Sequence, residues 1–245
     1  MQQSIIDGII QAFILLFTGD PYIWSIIFLS LRVTATATLF ASLIGVPIGI
    51  VVGMNDFFGK RAIVSLINTL MGFPPVVVGL IVFLALSRSG IFGALGLLFT
   101  PTAIIVGQMM IAAPIIAGIT MAAVSSIDVA VIETAKSLGA ARTQTWFLIL
   151  KEARIGIFSG ITIGFGQSIS EVGASMIVGG NIEGFTRVLT TAVVLETRQG
   201  FYGSAIALGL ILMLIAFIIN SLILTRLQFN VKGTAGRKLA TLGKL

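Results

Sequence analysis

Glu171 stands in an apolar run long enough to cross a membrane, and it is in register with other groups that avoid lipid. Gly160, Gly164, Gln167, Glu171 and Ser175 are spaced by 4, 3, 4 and 4 residues, so one helix would carry them near a single face. Gly156 extends the small-residue end of this stripe. Small residues let helices approach closely, and polar ones are kept out of lipid. The stripe therefore reads either as a helix–helix seam or as the wall of a polar path. An ionisable side chain within a span costs several kcal/mol unless it is paired or hydrated, which makes Glu171 a candidate site residue.

The rest of the composition narrows the chemistry. The 245 residues include no cysteine and no histidine. Thiolate and imidazole metal sites, disulfides, histidine triads and histidine proton relays are thus excluded, and no metal site is expected. No G-x-x-x-x-G-K-[ST] phosphate loop is present, so this chain is not expected to bind or hydrolyse ATP. Hydrophobic residues make up 57% and charged ones only 10%, with a mean hydropathy of +1.11. Soluble domains carry about 25% charged residues, so this much apolar surface calls for a lipid bilayer as solvent. The first residues, MQQSIIDGII, lack a basic region and a small-residue cleavage site, and a retained segment is expected there.

A span needs roughly 20 apolar residues. On that basis the chain holds about six, at about 5–17, 30–53, 63–86, 102–124, 155–178 and 202–224. The first is short, and an interfacial or core helix fits it equally well. Pro47, Pro74, Pro75 and Pro114 fall inside spans, where neighbouring helices can satisfy the freed backbone groups. We find no internal repeat and no linker, so residues 1–245 are expected to form a single all-α membrane domain.

Basic residues set the orientation. Lys60 and Arg61, then Lys136, Arg142, Lys151 and Arg154, then the tail at 226–245 place 11 of the 15 Lys and Arg on one side. The other four are Arg32, Arg88, Arg187 and Arg198. With six spans the sides alternate correctly, and both termini are expected in the cytoplasm of a multi-pass cell-membrane protein. The formal charge of +6 is explained by this topology, and nucleic-acid binding is not expected.

The longest polar interruption lies at about 125–154, between the fourth and fifth spans. Its core is Asp128–Ala153, DVAVIETAKSLGAARTQTWFLILKEA, in which Glu133, Ala135 and Gly139 stand in the order Glu-x-Ala-x-x-x-Gly. On its own this is an ordinary helix–Gly–helix turn, with Gly139 supplying the positive-φ residue. With its place on the basic side, it resembles the EAA loop of the permease subunits of ATP-binding cassette importers. The resemblance implies a type I importer permease fold and a short cytoplasmic coupling helix that docks on a separate ATPase. Asp128, Glu133, Ala135, Lys136, Leu138, Gly139 and Arg142 are the residues expected at that contact.

The likeness runs along most of the chain. Ser30–Gly53, with its Gly45-x-Pro47 step, is similar to the opening core helix of these permeases. Met71–Leu80, MGFPPVVVGL, resembles a Pro-Pro-Val-Val-x-Gly-Leu segment of the molybdate and tungstate permeases. Gly166–Thr191 reads GQSISEVGASMIVGGNIEGFTRVLTT, where molybdate-type permeases carry Gly-Glu-Phe-Gly-Ala-Thr. The departures at Ser170, Val172 and Ser175, with Val178-Gly179-Gly180-Asn181-Ile182, look most like the tungstate type.

That resemblance implies import of a tetrahedral oxyanion, tungstate first and molybdate or sulfate as alternatives. It also implies two copies of this chain, two ATPase subunits holding ATP and Mg, and an extracytoplasmic binding protein. An ionised Glu171 would repel the anion, so it is expected to pair with Arg32 or Arg187, or to be held protonated, as a gate anchor. Ser168, Ser170, Ser175, Asn181, Thr190 and Thr191 are the expected hydroxyl and amide partners of the oxyanion. Arg32 and Arg187 would attract it near the outer mouth. An ATP-independent secondary transporter or channel is the rival class, but the spans offer few acids besides Glu171 for ion coupling.

Overall fold

The computed structural model of the protein describes residues 18–221 together with Ile6, Ile9, Ile10, Phe13, Ile14 and Phe17. The first expected span and the basic tail at 226–245 thus lie mostly or wholly outside the described residues. Among those residues the protein is all helix, with no strand. The helices are α1 (Pro21–Met54), α2 (Lys60–Met71), α3 (Pro75–Leu86), α4 (Pro101–Ser125) and α5 (Val129–Ser137). They continue as α6 (Arg142–Ile169), α7 (Gly173–Gly179), α8 (Leu189–Gln199) and α9 (Tyr202–Ser221).

Helices α1, α4 and α9 are long and apolar enough to cross a membrane, and the bent pair α2–α3 makes a fourth if it is one span. The expected span at 63–86 is therefore broken. Gly72, Phe73 and Pro74 separate its halves, which meet at 99°. Pro75 occupies the first turn of α3, where its missing N–H costs nothing, and Pro74 holds the extended backbone that precedes it. The fifth expected span starts earlier and ends earlier than its apolar run: α6 begins at Arg142 and stops at Ile169. Residues 170–172 interrupt it, and the remainder is the separate helix α7.

The centre of the fold is the crossing of α1 with α4. Asp20 starts α1, its Oδ1 accepting the backbone N–H of Tyr22 at 2.8 Å, a cap that satisfies one of the orphan donors. Further along, Gly45, Gly49 and Gly53 recur every fourth residue and face the backbone of α4. A Cβ at Gly49 would lie 2.5 Å from the Ala117 carbonyl oxygen, and one at Gly45 would lie 2.7 Å from that of Ala113. Only glycine permits this approach, which brings Ala41, Ala112 and Ile116 into a fully buried cluster.

Candidate functional site

The EAA-like segment folds as a helical hairpin at one end of the bundle. Asp128 caps α5 by accepting the N–H of Ala130 at 2.9 Å. At the other end Gly139 adopts φ +81, the Gly139 N–H reaches the Lys136 carbonyl at 2.9 Å, and the Ala140 N–H reaches that of Ala135 at 3.0 Å. These two bonds are the left-handed helix stop expected from Gly139. Gln144 then opens α6 by accepting the Ala141 N–H at 2.8 Å.

Ile132 and Trp146 turn towards the bundle and pack on the cluster of Ile50, Val124, Ile149, Ala153 and Ile157. Asp128, Glu133, Lys136, Leu138, Gly139 and Arg142 are exposed, while Ala135 is half-buried. Leu138, at 83% exposure, and Phe147, at 75%, present apolar surface beside those charges. A rigid hairpin tied to the core, with an amphipathic outer face, is suited to passing displacement between a docked partner and α6.

The second constellation lies where the two broken helices meet. A Cβ at Gly173, the first residue of α7, would lie 2.5 Å from Val76 Cγ2, in the first turn of α3. One at Gly79 would lie 2.5 Å from Ala174 Cα. The start of α7 is thus pressed onto the start of α3, with Val78, Val82, Ala174 and Val178 in one buried cluster.

Glu171 sits in the break and is 6% exposed. Its Oε1 accepts the N–H of Ala174 at 2.8 Å, and its carbonyl accepts the Thr190 hydroxyl at 3.0 Å. The expected arginine pairing is not made. Arg187 instead donates from Nη1 to the Tyr22 hydroxyl and to Glu183 Oε2, the latter at 3.3 Å. Arg32 is exposed on α1 and makes no ion pair among the described residues. The physical reason is local: a carboxylate next to a helix start finds a backbone donor within its own turn, without recruiting a cation from another helix.

The expected single-face stripe divides at the same break. Gly156, Gly160 and Gly164 lie against Ala123, Ile119 and Ile116, so the lower stripe is a seam with α4. Gln167 is exposed, and Glu171 and Ser175 lie beyond the helix that carries the glycines.

The candidate oxyanion partners are spread through this region. Ser168 is fully buried and donates to the Gln108 carbonyl at 3.5 Å, and Ser170 is exposed. Thr191 Oγ1 accepts the Val188 N–H at 3.0 Å and donates to its carbonyl, so it is committed to the start of α8, as Thr190 is to Glu171. Ser175 Oγ and Asn181 Oδ1 are buried without a hydrogen-bond partner among the described residues, and Asn181 holds φ +51.

A family model described as "binding-protein-dependent transport system inner membrane component" matches residues 45–228. The chain belongs to this family. The inner membrane component is 42% identical over 221 residues to the tungstate uptake system permease protein TupB of Peptoclostridium acidaminophilum, covering 90% of this chain and 97% of that protein. It is 38% identical to TupB of Campylobacter jejuni, covering 88% and 90% of the two chains. Among solved structures it is similar to a bacterial ABC transporter involved in the import of the acidic polysaccharide alginate. The TM-score is 0.70 at 21% identity, covering 87% of this chain and 81% of that one. A likeness at that identity speaks for the fold, which is that of an importer permease.

Two features of this inner membrane component escaped the sequence reading. One is the Gly45, Gly49, Gly53 seam, whose four-residue spacing is a legible signal for close helix packing. The other is a polar face on α2, formed by Arg61, Ser65, Asn68 and Thr69 at helical spacing, within a segment read only for its apolar content.

Proposed function

We propose that this chain is the permease subunit of an ATP-driven importer and forms, with a second copy, the membrane path for tungstate. The observation that carries this reading is the similarity to tungstate uptake permeases over nine-tenths of the chain. The segment Ser170–Ser175, which departs from the molybdate-type pattern, falls at the junction of the two broken helices, where a gate would have to work.

In this mechanism the exposed face of α5 and its Gly139 turn dock on a separate ATPase, one per permease copy, in which ATP and Mg are held. Closure of the two ATPases moves the α5–α6 hairpins. Because α6 ends at the break beside α7, that movement reaches Glu171 and the contact of Gly173 with Val76. The junction opens to the outer face, where a binding protein delivers the oxyanion, and hydrolysis resets it. Ser170, Ser175 and Asn181 supply hydroxyl and amide contacts as α7 shifts from α3, and Arg32 and Arg187 raise the local anion concentration at the outer mouth. Both termini and the hairpin lie in the cytoplasm.

The test is ATP hydrolysis by the reconstituted complex of permease and ATPase, measured with binding protein loaded with tungstate, molybdate or sulfate. Strongest stimulation by the tungstate-loaded protein is expected. Equal or stronger stimulation by molybdate or sulfate would reassign the substrate, and transport without ATP would remove the importer reading.

A further inference from the structure

Helix α8 starts without a cap of its own. The residue before it is Val188, which has no side-chain acceptor, yet the first N–H groups of a helix find no partner within it. Thr191 accepts the Val188 N–H at 3.0 Å, and the Leu189 N–H is met from another helix. Ser30 Oγ on α1 accepts it at 2.8 Å, across 159 positions of sequence. The same hydroxyl donates to the Ile26 carbonyl at 2.7 Å, so its proton is committed too. Ser30 and Leu189 are both buried, and Leu189 packs on Ile23, Ile26 and Ile27 of α1.

Thr190 carries this contact onward. It follows Leu189 in the first turn of α8, about 100° further round the helix, and its hydroxyl donates to the Glu171 carbonyl at 3.0 Å. Glu171 in turn holds the Ala174 N–H through Oε1 at 2.8 Å. A continuous series of bonds thus runs from α1, through Ser30, Leu189, Thr190 and Glu171, to the start of α7. The end of α6 is bonded to the break over longer distances. The Ser170 N–H lies 3.3 Å from the Gly166 carbonyl, and the Glu171 N–H lies 3.2 Å from that of Ser168. The place of Glu171 is therefore set from α1 as well as by the helix it follows.

Burial gives the series its weight, because no bulk water replaces an acceptor lost there. Arg187 and Tyr22 join the same two regions nearer the start of α1, and the apolar cluster around Leu189 adds to them. Loss of the Ser30 hydroxyl alone should consequently loosen the start of α8 without detaching it.

We propose that Ser30 is a positioning residue for the gate: through Leu189 and Thr190 it fixes the Glu171 carbonyl to α1, and so sets how readily the break at 170–172 opens when α6 is moved. The part played in a transport gate rests on the function proposed above; the mechanical link from Ser30 to the break does not.

Hydrogen–deuterium exchange of the complete permease–ATPase complex tests the link. Ser30→Ala should speed exchange several-fold both at 188–192 and at 171–176, a segment Ser30 does not touch, and Ser30→Thr, which keeps the hydroxyl, should restore both. Thr36→Ala removes a hydroxyl that bonds only the carbonyl four residues back on the same helix, and should change neither segment. Faster exchange at 188–192 alone would end the link at α8 and overturn the proposal. If Ser30→Ala does not assemble, Thr190→Val against Thr190→Ser asks the same question from the other end, and unchanged exchange at 171–176 in the valine variant would overturn it. ATP hydrolysis tests the gate. Ser30→Ala should raise the rate without binding protein and lower the stimulation by tungstate-loaded binding protein several-fold, with Ser30→Thr close to wild type. A fall of both rates in proportion to the assembled complex would reduce Ser30 to a support of the fold. Absence of tungstate stimulation in the wild type would remove the function proposed above, while the exchange result would still establish the link.

Discussion

Glu171 Oε1 accepts the backbone N–H of Ala174 at 2.8 Å, across the break between α6 and α7. This makes the buried carboxylate a fastener for the start of α7, and it changes the expected behaviour of substitutions there. Glutamine keeps an acceptor oxygen at the same reach, so Glu171→Gln should retain most uptake. Glu171→Ala leaves the Ala174 N–H orphaned, a loss of about 1 kcal/mol by analogy with helix caps. Thermal unfolding of the solubilised complex should show the alanine variant less stable than the glutamine one. Equal stability would remove the fastening role.

Gly139 is fixed by the left-handed turn that ends α5, at φ +81. Valine there costs about 1–2 kcal/mol in backbone strain, whereas asparagine tolerates the conformation. Uptake should collapse in Gly139→Val and survive largely in Gly139→Asn, with both inserted in the membrane. Because a Cβ at this position meets nothing within 4 Å, a defect in the valine variant alone would report the turn and not a clash.

Gly49 tests the central crossing. Alanine is favoured over glycine in helices by about 1 kcal/mol, yet its Cβ would stand 2.5 Å from the Ala117 carbonyl oxygen and 2.7 Å from Thr120 Cβ. Overpacking costs about 1–3 kcal/mol, so Gly49→Ala should lower the yield of folded protein. A Cβ at Gly209, on α9, would meet nothing within 4 Å among the described residues, and Gly209→Ala should express as well as wild type. Similar yields for the two variants would contradict the close seam.

Sidedness follows from the distribution of arginine and lysine. Single cysteines at Lys60 and Arg142 should label from the cytoplasm, and those at Arg88 and Gln199 from outside. Labelling of Arg142 and Gln199 from one side would require a different path for α6 to α8.

Ser175 Oγ is enclosed and has no hydrogen-bond partner among the described residues. Removing a buried hydroxyl that has no partner leaves no orphan behind, so Ser175→Ala should unfold within about 0.5 kcal/mol of wild type. Its uptake should nevertheless show a changed preference among tungstate, molybdate and sulfate in competition assays if, as proposed above, the gate opens by α7 leaving α3. An unchanged preference would confine Ser175 to packing.

Much of this protein was legible in the sequence because the governing physics is local. Long apolar runs must become helices in lipid, since no other backbone arrangement of a single segment satisfies its own hydrogen bonds there. Asp128 and Gly139 cap and stop a helix through bonds that span no more than five positions, so the hairpin followed from residue types alone. What the sequence did not determine was which apolar runs break, and whom the buried polar groups bind. The run at 155–178 is continuous in hydropathy, yet it parts at residues 170–172, where α7 finds α3 through Gly79 and Ala174, residues 95 positions apart. Glu171 chose a backbone N–H over Arg187 because the broken helix offered a donor at 2.8 Å, while Tyr22 and Glu183 had already engaged the arginine. The apolar side of α2 found its partners, Val52 on α1 and Ala117 on α4, only in the folded bundle. Such choices depend on distances between segments remote in the chain, and spacing along one helix carries no information about them.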